Sequence, residues 1–152
     1  MSISIKDMDN KLEVNFSQRI KAPLQFSFEW LTDFREDDPD ITKSSNKMTI
    51  LEKTDSKIKY MSEQTKNGKE IKTTSIVTMT PNTQWELEAK SNGVNYTGLY
   101  QLVPDGEYTR LDMKFIYTYE DNNIPTKEEK ITNMNEHWGK LASALETDFN
   151  NQ

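Results

Sequence analysis

His137 is the only imidazole in this 152-residue chain, and the chain has no cysteine. A histidine near neutral pH can act as a general base, or donate to and accept from a bound ligand. His137 follows Met134 by three residues and adjoins Trp138, so it borders an apolar stripe and can reach a space beside it. The plainer account is a partly exposed helix residue flanking the core, in keeping with histidine's intermediate burial. No serine and aspartate stand at a spacing that makes a triad with it, so no catalytic residue is assigned. The run Glu36-Asp37-Asp38-Pro39-Asp40 offers carboxylate oxygens to a hard cation. It lacks the spacing and the glycine of a calcium-binding loop, and a solvated charge run is the better account. With no thiolate and one imidazole, neither a cysteine nucleophile nor a two-histidine metal site forms within one chain. No metal and no cofactor is therefore expected.

A second set of residues is more informative. Tyr60, Tyr96, Tyr100, Met113, Phe115, Tyr117, Met134, Trp138 and Leu141 fall on the inward side of their predicted elements, as does Phe28 on an early helix. Ordinary core is one account of them. The other is a cavity, because a buried tyrosine hydroxyl needs a partner and several facing one space imply water or a ligand there. Thr73 and Ser75, if inward on their strand, add polar groups to the same space. Together with His137 these are the candidate ligand-binding residues.

The elements that must position them follow from periodicity. Leu12, Val14, Phe16 and Ile20 alternate with polar residues, the signature of a half-buried strand. Ala22-Pro23 ends it, Pro23 suits the first turn of a helix, and Leu24, Phe28 and Leu31 recur at helical spacing to about Asp33. A second short helical turn and a loop are expected over 35–46. From Lys47 to Asp121 the chain reads as a meander of about six strands. Its turns are Asn67-Gly68, Pro81-Asn82, Asn92-Gly93 and Pro104-Asp105-Gly106. The last strand is the clearest, with Leu111, Met113, Phe115, Tyr117 and Tyr119 inward. Thr126 and Glu129 then form a capping box after Pro125. Ile131, Met134, Trp138, Leu141, Leu145 and Phe149 make an amphipathic stripe over about 24 residues, a helix of roughly 36 Å. The expected fold is α+β: a curved antiparallel sheet of about seven strands around a long C-terminal helix, with two short helices after the first strand. Residues 1–152 make a single domain.

Composition narrows the classes. Leu, Ile, Val and Phe together make only about a fifth of the chain, close to the level at which disorder is suspected. The strong periodicity decides for a folded domain. A net charge of -6 argues against nucleic acid, which calls for clustered Lys and Arg. No apolar run approaches the ~20 residues of a membrane span. The start MSISIKDMDN lacks the basic and apolar regions of a secretory signal, so a soluble, cytoplasmic protein is expected.

The order of elements, with IKAPLQFSFEWLTDF early and EHWGKLASALETDF late, resembles the SRPBCC superfamily. That superfamily includes START lipid-transfer domains, birch-pollen-allergen-like plant proteins and the polyketide cyclase/dehydrase group. The echoes are the strand end Ile20-Lys21-Ala22-Pro23, the helix with Phe28 and Asp33, and the Thr109-Arg110-Leu111 opening of the last strand. The resemblance covers nearly the whole chain and rests on fold signatures, none of them catalytic. Many members carry a tryptophan a few residues after the aspartate; here 35–45 has none. The resemblance implies a helix-grip fold with a hydrophobic cavity between sheet and helix. The expected function is binding or transport of a small hydrophobic or amphipathic molecule. The alternatives are a polyketide cyclase or aromatase-like enzyme using the same cavity, and a chaperone-activator-like interaction module. The 35–46 loop and the tips at Asn67-Gly68 and Asn92-Gly93 would form the mouth.

Overall fold

The computed structural model describes residues 2–8, 10–33, 47–66, 68–80, 83–91, 93–120 and 125–152. Eight antiparallel strands form one sheet: β1 (Ser2–Met8), β2 (Lys11–Ile20), β3 (Lys47–Lys53), β4 (Lys57–Lys66), β5 (Lys69–Thr80), β6 (Gln84–Ser91), β7 (Val94–Asp105) and β8 (Tyr108–Tyr119). Their spatial order is β1-β2-β8-β7-β6-β5-β4-β3. Helix α1 (Leu24–Thr32) follows β2, and helix α2 (Lys127–Asn150) ends the chain. The expected second short helix lies outside the described residues, as does the acidic run 36–40.

The alternation that marks each strand also sets its inward face. Leu12, Val14, Phe16 and Ile20 on β2 and Leu111, Met113 and Phe115 on β8 are nearly solvent-free. They pair directly, Val14 opposite Phe115 and Phe16 opposite Met113. Residues i and i+2 share one face of a strand, so this pairing makes a continuous apolar strip. Gly68 and Gly93 take positive φ, 75° and 82°, as tight hairpins require.

Two expectations change. The sheet has eight strands because Ser2–Met8 pairs along β2, with Ile3 and Ile5 half-buried against the core. That stretch alternates too, but it is short and lies before the first clear strand. The second change concerns Pro104, read as part of a turn but standing inside β7 opposite Thr109. Pairing of β7 with β6 runs out at Gln101, so the missing N–H of Pro104 leaves no ladder bond unmade on that side.

Helix α2 carries the expected capping box. Thr126 Oγ1 accepts from Glu129 N at 3.1 Å, and Glu129 reaches back to Thr126 N. Met134, Trp138, Ala142 and Leu145 are its buried stripe. Pro23 stands one residue earlier than expected, as the N-cap of α1. The far end of α2 holds α1: Trp30 Nε1 donates to Asp148 Oδ2 at 2.7 Å, and Phe26 packs on Phe149 at 5.1 Å between centroids. Thr109 Oγ1 donates to Ala22 O at 2.8 Å and fixes the chain between β2 and α1. Among the described residues, no helix is long and apolar enough to cross a membrane.

Gly98 shows how tightly the sheet's inner face is packed. A Cβ there would lie 3.0 Å from Phe115 Cε1 and 3.0 Å from Tyr100 Cε2. Neither ring has free room, because Tyr100 and Phe115 already meet edge to face at 5.4 Å. Gly98→Ala is therefore expected to cost about 1–3 kcal/mol by overpacking, read from denaturant unfolding. An unchanged midpoint would show that these rings can move aside.

Candidate functional site

Cross-strand register sorts the sheet's inner face into rows. One row runs Ile58, Val77, Leu87, Gly98, Phe115, Val14. The row beyond it, toward α1, runs Met79, Trp85, Tyr100, Met113, Phe16. Both are apolar but for one hydroxyl, and aromatic rings fill them. Trp85 stacks on Tyr100 at 4.9 Å and 9°, Phe28 of α1 meets Trp85 edge-on at 5.9 Å, and Trp138 of α2 approaches Tyr100 at 5.9 Å.

Toward the Gly68 and Gly93 hairpins the composition changes. The next row is Tyr60, Ser75, Ala89, Tyr96, Tyr117, and the one after it Ser62, Thr73, Ser91, Val94, Tyr119. Eight of these ten residues bear hydroxyls on one face, at the end of the sheet where α2 begins. Tyr96 and Tyr117 lie with rings 5.1 Å apart, and Tyr117 with Tyr119 at 6.4 Å. From the first turn of α2, Lys130 sets its Nζ 3.5 Å from the centre of the Tyr117 ring. Met134 accepts weakly from the Tyr117 hydroxyl, at 3.9 Å.

These hydroxyls are held neutral. Burial pushes Tyr96, Tyr100 and Tyr117 well above the usual tyrosine range, and neighbouring tyrosines add to it. Tyr60 acts on Tyr96; Tyr96, Tyr60 and Tyr117 act on Tyr100; Tyr96 and Tyr119 act on Tyr117. Burial alone moves Tyr119 up to about 12. Groups that oppose one another's ionisation in this way share one small region. At neutral pH they are hydrogen-bond donors and acceptors, not bases or nucleophiles.

Among the described residues, Tyr96 and Tyr100 make no side-chain hydrogen bond. Leaving such a group sealed away from water costs on the order of 1–3 kcal/mol. Among the described residues, the side-chain polar atoms that are both sealed and unpartnered are Gln18 Oε1, Ser27 Oγ and Asn135 Oδ1. The Tyr96 and Tyr100 hydroxyls are not among them, so neither is fully sealed.

The candidate residues thus divide. Tyr60, Thr73, Ser75, Tyr96, Tyr117 and Met134 come together at the hydroxyl-bearing end, with Tyr100 at the seam. Phe28, Met113, Phe115 and Trp138 pack into the ring-filled half, and Leu141 is half-buried against it. His137 is exposed, its ring edge-on to Trp138 at 5.5 Å, and it does not join the tyrosines. Partial burial and then the Lys140 charge hold its imidazole below the ordinary value. Sequence reasoning missed Ser62, Ser91 and Tyr119 as members of the polar rows. The outer recess over β1, β2 and β8 is a poor rival: its Asp112 is already bound by Ser17 Oγ at 2.8 Å and Arg110 Nε at 2.9 Å. Burial pushes that carboxyl up, but these hydrogen bonds and the Arg110 charge hold it below the usual range. Among the described residues, no three acidic, histidine or cysteine side chains are grouped to hold a metal.

No family model matches the chain, and no curated protein matches it in sequence. Solved structures match its fold. Ara h 8.0201 superposes with a TM-score of 0.72 at 10% identity, over 93% of this chain and 99% of that one. The Zhui aromatase/cyclase from Streptomyces sp. R1128 gives 0.70 at 17% identity, over 92% and 94%. Major latex-like protein 151 from Panax ginseng gives 0.67 at 9% identity, over 89% and 97%. The eight-stranded antiparallel sheet closed over a long C-terminal helix is the helix-grip fold, the fold of the SRPBCC superfamily that the sequence resembles.

Proposed function

We propose that this protein binds a small, largely apolar or amphipathic molecule between the sheet and α2, at the hydroxyl-bearing end. The observation that carries this reading is the Tyr96 hydroxyl, which has no hydrogen-bond partner and is not fully sealed, within a group of hydroxyl-bearing side chains on one face. Apolar area removed from water supplies the affinity, about 25 cal/mol per Å², and a few hydroxyls fix orientation. The helix-grip neighbours agree with a cavity between sheet and helix as the place for it.

Native mass spectrometry of gently purified protein tests the reading. A stoichiometric adduct on the 17.7 kDa chain, or saturable uptake of an added apolar dye, is the expected result. A bare mass together with no uptake of any dye would overturn it.

One observation favours a second reading, an enzyme of the aromatase/cyclase kind. Several tyrosines held neutral and facing one space can polarise a carbonyl by hydrogen bonding, the electrostatic half of such chemistry. A base is also needed, and exposed His137 is the histidine available. If this reading holds, His137→Ala abolishes turnover and leaves folding intact.

A further inference from the structure

We propose that β1 is a pairing edge for a second copy of this chain. Two β1 strands run antiparallel about a two-fold axis at Ser4 and join the two sheets into one. This stands apart from the ligand-binding reading and does not depend on it.

The two edges of the sheet are built differently. β3, at one edge, has the features that keep an edge from pairing. Its register slips between Ile50 and Glu52, Leu51 there is 53% exposed, and Lys47, Glu52 and Lys53 are charged. β1, at the other edge, pairs with β2 from Ser2 to Met8 without a slip. Between Ser2 and Ile5 it has no charge, proline or glycine. Among the described residues, no strand pairs with its other side. Backbone N–H and C=O groups therefore face outward along an unbulged, uncharged edge, which is a template for another strand. Small side chains line the outer face here: Ser4, with Asn15 and Ser17 of β2, borders a recess of about 220 Å³.

The sequence of the strand makes a second copy the fitting occupant. Directly opposed residues of an antiparallel pair lie on the same face. A two-fold axis that continues the sheet must therefore pass at a residue, not between two. Centred on Ile3, the register would pair only the first few residues of the strand. Centred on Ile5, it would set Ile3 opposite the partner's Asp7; centred on Lys6 or Asp7, like charges would meet. Centred on Ser4, it sets Ile3 opposite the partner's Ile5 and Ser4 opposite the partner's Ser4. Ile3 and Ile5 are half-buried against the core, so each gains a β-branched neighbour on the inner face. The contact is smaller than the ~1,600 Å² of a standard interface, so the association is weak and depends on concentration.

Sedimentation equilibrium of the wild-type chain is the test. The mass is expected to rise from 17.7 kDa toward twice that value as concentration goes from about 10 μM to about 1 mM. Ser4 is exposed, so Ser4→Lys and Ser4→Asp leave the fold intact, which circular dichroism checks. Each sets two like charges opposite one another on the axis and should weaken self-association by about tenfold or more. An equimolar mixture of the two variants sets lysine opposite aspartate and should restore association to within about threefold of the wild type. A dimer formed through another surface would not follow this pattern. A chain that stays monomeric at about 1 mM overturns the inference. So does a dimer that neither substitution weakens, or one that the mixture fails to restore. The ligand-binding reading stands or falls separately, on the uptake of a ligand.

Discussion

Above about pH 11 the protein is expected to unfold in one step, with its buried tyrosines ionising only as it does so. The argument is one of linkage. A tyrosine in the unfolded chain loses its proton near pH 10, whereas Tyr96, Tyr100, Tyr117 and Tyr119 in the folded chain hold theirs to higher pH. Once pH passes 10, the folded state binds more protons than the unfolded state, so stability falls as pH rises. Each group kept neutral costs about 1.4 kcal/mol per pH unit above 10, and four together roughly 5–6 kcal/mol. A domain of this kind has about 5–15 kcal/mol to lose, so about one to three pH units suffice. Below pH 10 none of this acts, and the tyrosines contribute no slope. The check is a titration followed at once by tyrosinate absorbance and far-ultraviolet circular dichroism. Coincident transitions are expected. Smooth tyrosinate formation well before the loss of β-structure would mean that these phenols are open to solvent.

Much of the fold was legible because it depends on local rules. Alternation placed the inward faces of β2, β6 and β8, the Thr126–Glu129 box placed the start of α2, and its stripe gave its length. The grouping of the tyrosines was also encoded, in a form that is easy to pass over. Tyr60 and Ser75 lie equally far from the Asn67-Gly68 hairpin, and Ala89 and Tyr96 equally far from Asn92-Gly93. Tight hairpins therefore fix these partners opposite one another, and the row follows. What was not legible is what tertiary packing decides. His137 borders the α2 stripe on spacing alone, and only the placement of the helix on the sheet shows that it stays exposed. Nor does periodicity distinguish Phe115 in a filled row from Tyr117 in a polar one. Both read as inward, and the difference lies in which rings meet them from α1, α2 and neighbouring strands. The segment 35–46, where a helical turn and one side of the mouth were expected, lies outside the described residues.

The division between the two halves of the inner face makes its own demand on stability, and Trp85→Ala exposes it. Trp85 is 3% exposed, stacked on Tyr100 and met edge-on by Phe28. Removing the indole leaves a cavity walled by residues from β7, β5 and α1, which are fixed by their own backbone pairing and cannot close over it. The expected loss is about 3–5 kcal/mol, a fall of roughly 10 °C or more in thermal midpoint. Tyr96→Phe is the useful contrast. It deletes one oxygen that has no protein partner, so stability should change by less than about 1 kcal/mol. The effect on a bound ligand should run the other way. Trp85 and Ala89 are four residues apart on β6, on the order of 13 Å along the strand, so the tryptophan lies far from the hydroxyl row. Folded Trp85→Ala should keep its dye binding while losing stability, and Tyr96→Phe should lose binding while keeping stability. A Trp85→Ala variant as stable as the parent would mean that the ring-filled half is not close-packed. The room for a ligand would then extend along the whole length of α2 instead of being confined to the end where that helix begins.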